Sequence, residues 1–147
     1  MDYNEILEIS PYALTSAEKN KLLTERLVEL TNHHYDNCAP YRGMMDAQNW
    51  DSDTIHDYYD IPFLPVSLFK QMELRSVKKE DVMKTMTSSG TTGQAVSKIY
   101  CDRTTASNQQ KTLAKIVTNF TGASRMPMLI IDTPSVIKNR NMFSARG

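Results

Sequence analysis

The sequence predicts an α/β fold in which helices come first and strands then alternate with helices. Three observations support this class: leucines at helical spacing before residue 40, alternating apolar and polar residues at 82–87, and a short apolar run at 128–131. With 147 residues, the chain has the size of one modest domain. We predict a helical region over residues 1–60 and an α/β region over residues 61–147.

The long helix predicted in the first region has recognisable ends. Thr15 followed by Glu18 is a candidate capping box at its start. Leucines recur after it at i, i+4 and i+7 and predict a buried stripe: Leu23, Leu27 and Leu30. The helix is predicted to end near residues 37–38, because Pro40 disfavours helical backbone at Ala39.

Short elements are predicted between the two regions. Residues 53–59 favour one short helix behind a polar cap. In the segment 61–70, Pro62 and Pro65 exclude a regular central strand. Pro65 suits the first position of a helical turn, and the apolar residues around it are expected to anchor the segment on a core.

A hairpin and a helix are predicted in the second region. Residues 82–87 and 95–101 have strand character, and the loop between them is too long for a tight turn. Asp102 is a candidate cap for the next helix, and Gly122 is a candidate stop. The predicted buried face of this helix consists of Leu113, Ile116, Val117 and Phe120. Residues 128–131 predict a buried strand, which a right-handed crossover would connect to the second hairpin strand.

The predicted loop of the hairpin carries many hydrogen-bond donors. Residues 88–93 read Ser-Ser-Gly-Thr-Thr-Gly, and Lys98 follows shortly after. The two glycines can turn successive backbone N–H groups toward an anion: Gly90 and Gly93. Hydroxyl donors are added by Ser88, Ser89, Thr91 and Thr92. The pattern is not a Walker loop, which needs Gly-Lys-Ser/Thr before a helix. The same residue types also suit an exposed turn, so the residues alone leave phosphate binding and a plain loop open.

The order of residues in this loop resembles a known phosphate loop. Ser88–Gly93 is similar to the Ser/Thr-Ser-Gly-Thr-Thr-Gly core of the adenylate-forming superfamily, in which the lysine follows two residues earlier than Lys98 does here. Three stretches together resemble the acyl-protein synthetase (LuxE-type) family: Asp60–Lys70, the loop, and Ser97–Thr105. This resemblance runs from about residue 60 to the end of the chain.

The resemblance implies an ATP-dependent activation of a carboxylic acid, with residues 61–147 as an incomplete adenylation domain. A fatty acid carboxylate would attack the α-phosphate and give acyl-AMP and pyrophosphate, with Mg²⁺ as the expected metal. In the family, the acyl group then passes to an enzyme cysteine and onward to a partner reductase. By the match, Ser88–Gly93 and Lys98 would hold the β- and γ-phosphates.

Several parts of the family's machinery have no match in this sequence: the adenine-binding motif, the magnesium-binding acid and the C-terminal lysine. We therefore assign no catalytic residue, and the acyl-bearing cysteine is assigned to neither Cys38 nor Cys101. We expect an N-terminal fragment that is inactive alone in the overall reaction. Two alternatives stay open. One is an aryl- or acyl-CoA ligase of the phenylacetate-CoA ligase type, and the other is a truncated, non-catalytic module that docks onto a reductase or an acyl-carrier protein.

Charge and composition narrow the class of partners. Seventeen Lys and Arg residues balance 17 Asp and Glu residues, which gives no support for nucleic acid or an anionic membrane as a partner. The apolar run at 128–131 is too short to span a bilayer, and the N-terminus lacks the apolar core of a signal peptide. Two cysteines without a Cys-x-x-Cys pair are expected to be reduced thiols. We therefore expect a cytoplasmic protein.

No metal site is predicted from the histidines. His33 and His34 are neighbours on a predicted helix and point about 100° apart, so they do not chelate one ion. His56 has acidic neighbours in the sequence, Asp53, Asp57 and Asp60, but this composition is more typical of a solvated acidic helix.

Overall fold

The computed structural model describes residues 2–88, 95–127, 129, 131 and 143–144. The α-helices are α1 (Tyr3–Glu8), α2 (Ser16–Asn37), α3 (Ala39–Asp46), α4 (Leu68–Gln71) and α5 (Arg103–Thr121). The strands are β1 (Lys84–Thr87), β2 (Lys98–Cys101) and β3 (Phe143–Ser144). Short 3₁₀ turns lie at Ser52–Thr54, Tyr58–Asp60 and Lys79–Asp81. Helices together with a small sheet agree with the predicted α/β class at its coarsest level.

Helix α2 has the ends that the sequence predicts. The backbone N–H of Glu18 donates to Thr15 Oγ1 at 3.3 Å, and that of Thr15 donates to Glu18 Oε2 at 2.9 Å, which confirms the capping box. The helix ends at Asn37, as predicted. Its leucine stripe is less buried than predicted: Leu27 and Leu30 are exposed.

Helix α3 begins at Ala39, so the predicted exclusion of helix at that residue is wrong. Cys38 has an extended backbone, with φ −135° and ψ 98°, and this single residue breaks the helix instead. Pro40 then lies in the first turn of α3, where a missing N–H removes no hydrogen bond. At the other end of α3, Met45 is fully buried.

The single short helix predicted over residues 53–59 is also wrong. The structure has two 3₁₀ turns there, each started by an aspartate. Asp51 Oδ1 accepts a hydrogen bond from the backbone N–H of Asp53 at 3.0 Å, and Asp57 Oδ1 accepts one from Tyr59 at 3.0 Å. These local bonds satisfy backbone donors within two residues, so they compete with a continuous helix.

The segment around Pro65 forms the predicted helical turn, but only some of its apolar residues are buried as predicted. The backbone N–H of Leu68 donates to the Pro65 carbonyl at 3.0 Å, which forms a helical turn that leads into α4. Leu68 and Phe69 are partly buried, whereas Phe63 and Val66 are exposed. The segment is therefore anchored from one side.

The sheet has the order β2-β1-β3. Strands β1 and β2 are antiparallel, with Thr87 opposite Lys98, which confirms the predicted hairpin. Strand β3 pairs in parallel with β1. The buried strand predicted at 128–131 is not formed by the residues described there, because Leu129 and Ile131 belong to no strand and are 88% and 90% exposed. No described element covers them, and Met128 and Ile130 lie outside the described residues.

Helix α5 has the predicted ends but not the predicted burial. Asp102 Oδ1 accepts the backbone N–H of Thr105 at 2.7 Å, and Gly122 ends the helix with φ +78°, which favours glycine. The face predicted to be buried is exposed instead: Leu113 63%, Ile116 51%, Val117 38% and Phe120 72%.

Helix α1 packs on a different face of α5. The Tyr3 hydroxyl donates to the Asn108 carbonyl at 2.9 Å and also contacts the Thr112 hydroxyl. Lys115 Nζ lies 3.5 Å from Glu8 Oε2. These α5 residues are spaced at i, i+4 and i+7, so they form one polar face that is distinct from the apolar face.

Three hydrophobic side chains of the described chain are buried: Cys38 between α2 and α3, Met45 in α3 and Cys101 at the end of β2. Within the described residues, no helix has both the length and the hydrophobicity that crossing a bilayer requires.

Candidate functional site

The two ends of the predicted phosphate loop are bonded to each other. The backbone N–H of Ser88 donates to the Ser97 carbonyl at 3.2 Å, and the backbone N–H of Ser97 donates to Ser88 Oγ at 3.0 Å. Ser97 is buried and Ser88 is exposed. These bonds extend the hairpin by one residue on each side beyond the pair of Thr87 and Lys98.

Of the predicted phosphate-binding residues, the structure describes Ser88 and Lys98. The others lie outside the described residues: Ser89, Gly90, Thr91, Thr92 and Gly93. The Ser88 hydroxyl accepts the Ser97 N–H and keeps its own proton as a donor for a ligand. The predicted role of the loop in binding phosphate stays a prediction.

Lys98 is the first residue of β2 and lies opposite Thr87, which is the last residue of β1. Its side chain is exposed. The charge of Lys98 acts on the carboxyl group of Glu73. The hydrogen bond from Arg75 is the main reason that the pKa of the Glu73 carboxyl is lowered, and the charges of Lys79 and Lys98 act in the same direction. Lys98 therefore contributes positive potential near the point where the loop leaves the sheet.

Neither cysteine is arranged as a nucleophile. Cys38 and Cys101 are free thiols, and both are buried. Burial raises the pKa of the Cys101 thiol, which keeps it neutral and poorly reactive.

The structure shows no arrangement of a metal site around the histidines in the part of the chain that it describes. Among the described residues, no three His, Cys, Asp or Glu side chains lie close enough to hold one ion. The rings of His33 and His34 meet edge to face, with centroids 5.3 Å apart. Near His56, the Asp60 carboxylate accepts the backbone N–H groups of His56 and Asp57 at 3.1 and 2.9 Å.

The structure also contains a cavity that the sequence did not predict. It has a volume of about 590 Å³ and lies between α2, residues 62–77, β2 and the start of α5, and we call it the α2–β2 cavity. His34 Nδ1 and Ser76 Oγ, which both line it, are 2.7 Å apart. The apolar residues at 61–70 were a partial signal for this region. The pairing of His34 with Ser76 joins residues far apart in the chain, so no local pattern predicted it.

A comparison with protein families matches residues 2–146 of this chain to the model described as acyl-protein synthetase, LuxE. Three curated relatives are named long-chain-fatty-acid–luciferin-component ligase. The protein from Photorhabdus luminescens is 32% identical over 88 residues, which are 60% of this chain and 75% of that protein. Those from Aliivibrio fischeri and Vibrio harveyi are 38% and 35% identical over 79 residues, which are 53% of this chain.

The matched part is about a fifth of the Aliivibrio fischeri and Vibrio harveyi proteins, 21% of each. No solved structure matches the chain. Since the family model covers nearly the whole sequence, the chain belongs to the LuxE acyl-protein synthetase family.

Proposed function

We propose that this chain is the triphosphate-holding part of an ATP-dependent ligase that activates a carboxylic acid as acyl-AMP and passes the acyl group to a protein cysteine. The relatives are named as ligases of long-chain fatty acids, so a fatty acid is the proposed substrate. We place the reaction in the cytoplasm, where reduced thiols persist. A reductase or an acyl-carrier protein is the proposed receiver of the acyl group.

One observation supports the loop as the phosphate site. Ser88 and Lys98 lie at the same end of the hairpin, because Thr87 pairs with Lys98 and Ser88 bonds to Ser97. The residue that opens the loop motif and the lysine that follows it are therefore neighbours in space. A hydroxyl donor and an ammonium group at one end of a hairpin suit an anion that accepts hydrogen bonds only.

In the proposed step, the carboxylate oxygen attacks the α-phosphorus, and the bond to the β-phosphate breaks as pyrophosphate leaves. The donors of residues 88–93 hold the leaving pyrophosphate, and Lys98 offsets its charge. Each donor aimed at such a developing charge is worth about 3 kcal/mol. Mg²⁺ bound to the triphosphate would supply further charge neutralisation. The described residues offer no acidic cluster for it, so no magnesium ligand is assigned in this chain.

A second candidate function follows from the exposed apolar face of α5. Leu113 and Phe120 are 63% and 72% exposed, which is unusual for apolar side chains that share one helix face. In this second candidate, the chain is a non-catalytic module, and the reductase or acyl-carrier protein on which it docks covers this face. An aryl- or acyl-CoA ligase differs from the first candidate only in its acceptor.

Pyrophosphate exchange tests the first proposal. The full-length protein that carries this sequence is incubated with ATP, Mg²⁺, labelled pyrophosphate and a panel of fatty and aryl acids. We expect exchange of label into ATP that depends on the acid. Replacing Thr91 and Thr92 by Ala should lower this exchange about a hundredfold. The matched control is Thr104→Ala, which removes an exposed threonine outside the loop.

Each outcome of this experiment has a separate meaning. Absence of acid-dependent exchange contradicts the ligase proposal and favours the docking module. If exchange is unchanged in the double variant, the loop has no role in the mechanism, although the protein is still a ligase. Consumption of CoA, as opposed to label on a protein cysteine, identifies the acceptor.

A further inference from the structure

The α2–β2 cavity has the size of a small-molecule site. Its volume of about 590 Å³ falls within the range of about 300–1,000 Å³ that is typical of such sites. Several segments that are distant in sequence form its walls, including α2, the proline-containing segment before α4, and β2. Ser88 and Lys98, the two predicted phosphate-binding residues that the structure describes, do not line it.

Most of the cavity wall is apolar. The hydrophobic side chains that line it include Leu30, Leu64, Phe69, Leu74 and Ile99. Two of these, Leu30 and Ile99, keep 43% and 46% of their surface exposed. An apolar occupant would remove this surface from water, which is favourable at about 25 cal/mol per Å².

One polar pair interrupts this wall. His34 Nδ1 and Ser76 Oγ form a hydrogen bond of 2.7 Å. Burial lowers the pKa of the His34 imidazole, with a smaller contribution from the charge of His33, so the ring is neutral near pH 7. If Nδ1 accepts from Ser76, then Nε2 carries a proton to donate. If Nδ1 donates, then Nε2 accepts and the Ser76 hydroxyl keeps its proton. A ligand hydroxyl, which both donates and accepts, satisfies either arrangement.

The charge of Asp102 disfavours an anionic head group in the cavity. Asp102 lines the cavity with a carboxylate, and among the residues that the structure describes no lysine or arginine lines it. Hydrogen bonds from Thr105 lower the pKa of Asp102, so this carboxylate is ionised at neutral pH. A fatty acid anion placed beside Asp102 would lose part of its hydration and would face a like charge.

We propose that the α2–β2 cavity is a binding site for a neutral aliphatic molecule that carries one hydroxyl head, such as a medium-chain primary alcohol. The chain lies along the apolar wall, and the hydroxyl bonds to the His34–Ser76 pair. This proposal does not depend on the ligase activity. In this proposal, the cavity binds an aliphatic alcohol more tightly than a fatty acid anion of the same chain length.

Calorimetric titration at pH 8 tests the proposal with two probes of equal chain length, 1-decanol and decanoate, each below its solubility limit or micelle concentration. We expect saturable 1:1 binding of 1-decanol and an affinity for decanoate that is weaker by about tenfold or more. Ser76→Ala should weaken 1-decanol binding by about fivefold through the loss of one hydrogen bond. The control Ser107→Ala removes an exposed hydroxyl outside the cavity and should change neither affinity.

A second variant tests the charge argument directly. Ile99 lines the cavity and is partly exposed, so a lysine is tolerated at its position. In Ile99→Lys, the added ammonium should raise the affinity for decanoate and lower that for 1-decanol, with an unchanged circular dichroism spectrum. Absence of saturable 1-decanol binding would overturn the proposal. Equal binding of both probes in the unmodified protein would overturn it as well, as would 1-decanol binding that neither Ser76→Ala nor Ile99→Lys alters.

Discussion

Asp102 takes part in two structures at once. Its carboxylate caps α5 through the backbone N–H of Thr105 at 2.7 Å, and the same carboxylate borders the α2–β2 cavity. The cap satisfies a donor that the helix leaves unpaired, and an anion at this helix end also interacts favourably with the helix dipole. Asp102 therefore links the stability of α5 to the electrostatics of the cavity.

Replacing Asp102 by Ala should lower the free energy of unfolding by about 1 kcal/mol, because the helix loses its cap. The midpoint of thermal unfolding should fall by about 3 °C. Urea and thermal denaturation measure both quantities. Asp102→Asn is the matched control, since asparagine caps helices as well as aspartate does. If the Asn variant is as unstable as the Ala variant, then the charge of Asp102 stabilises the protein and the cap does not.

At the residue scale, the features that depend on near neighbours could be predicted. Thr15, Asp102 and Gly122 act within one helical turn, so a short window of sequence contains all the residues involved. The hydrogen bond between His34 and Ser76 could not be predicted in this way. It forms only because the tertiary fold brings α2 beside the segment before β1, and no periodicity records that approach.

At the element scale, α5 shows what a periodic pattern determines and what it leaves open. The spacing of apolar residues identifies the hydrophobic face of a helix. It does not say which element covers that face. In the described part of the chain, α1 packs on the polar face through Tyr3 and Glu8. The apolar face of α5 has no cover among the described residues, so its predicted burial is wrong there.

Replacing Phe120 by Gln should therefore change the free energy of unfolding of this chain by less than about 0.5 kcal/mol, since the side chain is 72% exposed. Sedimentation velocity should show no greater self-association, because the substitution removes apolar surface. The control Met45→Gln places an amide at a fully buried position and should cost about 3 kcal/mol. A comparable cost for both variants would mean that residues outside the described part cover Phe120.

The sequence predicted the strands that pair with a near neighbour in the chain and missed the one that pairs over a long distance. Strands β1 and β2 follow each other in sequence and pair as a hairpin, so alternation was enough to identify them. Strand β3 pairs with β1 across more than fifty residues and has two residues only, so no pattern marked it. The turns at Asp51 and Asp57 were mistaken for one helix, because composition does not reveal which backbone N–H an aspartate binds.

At the scale of the whole molecule, long-range hydrogen bonds join the beginning of the chain to its second half. Tyr3 bonds to Asn108, and His34 bonds to Ser76. The division predicted at residue 60 stays a prediction, and these bonds connect the two sides of it. His34 is partly buried, and burial lowers the pKa of its imidazole.

Acid should therefore destabilise the protein in a defined window. The folded-state pKa of His34 is lowered by burial, whereas the unfolded chain binds a proton near pH 6.5. The free energy of unfolding should fall as the pH decreases from about 6.5 to the lower folded-state pKa, because the unfolded state binds more protons. Urea unfolding at pH 7.5, 6.5 and 5.5 measures this dependence. His34→Gln should flatten it, and His56→Gln, at an exposed position, should not. An identical slope for His34→Gln would show that other groups cause the acid sensitivity.

The two candidate sites differ in how far the sequence could predict them. The residue order at 88–93 is a local motif, so the sequence contained it in full, and the hairpin that carries it was predicted correctly. The α2–β2 cavity needs residues from three separate stretches of the chain, 30–41, 62–77 and 99–109, and only the folded chain brings them together.

The paired hydrogen bonds between Ser88 and Ser97 have a consequence for how this family can diversify. They hold the register of the two strands at Ser88 and Ser97, the described residues on either side of the predicted loop. Changes of sequence or length between these two serines can therefore accumulate while the neighbouring sheet keeps its geometry. A graft of the corresponding segment from a distant relative between the same two serines should leave the sheet intact.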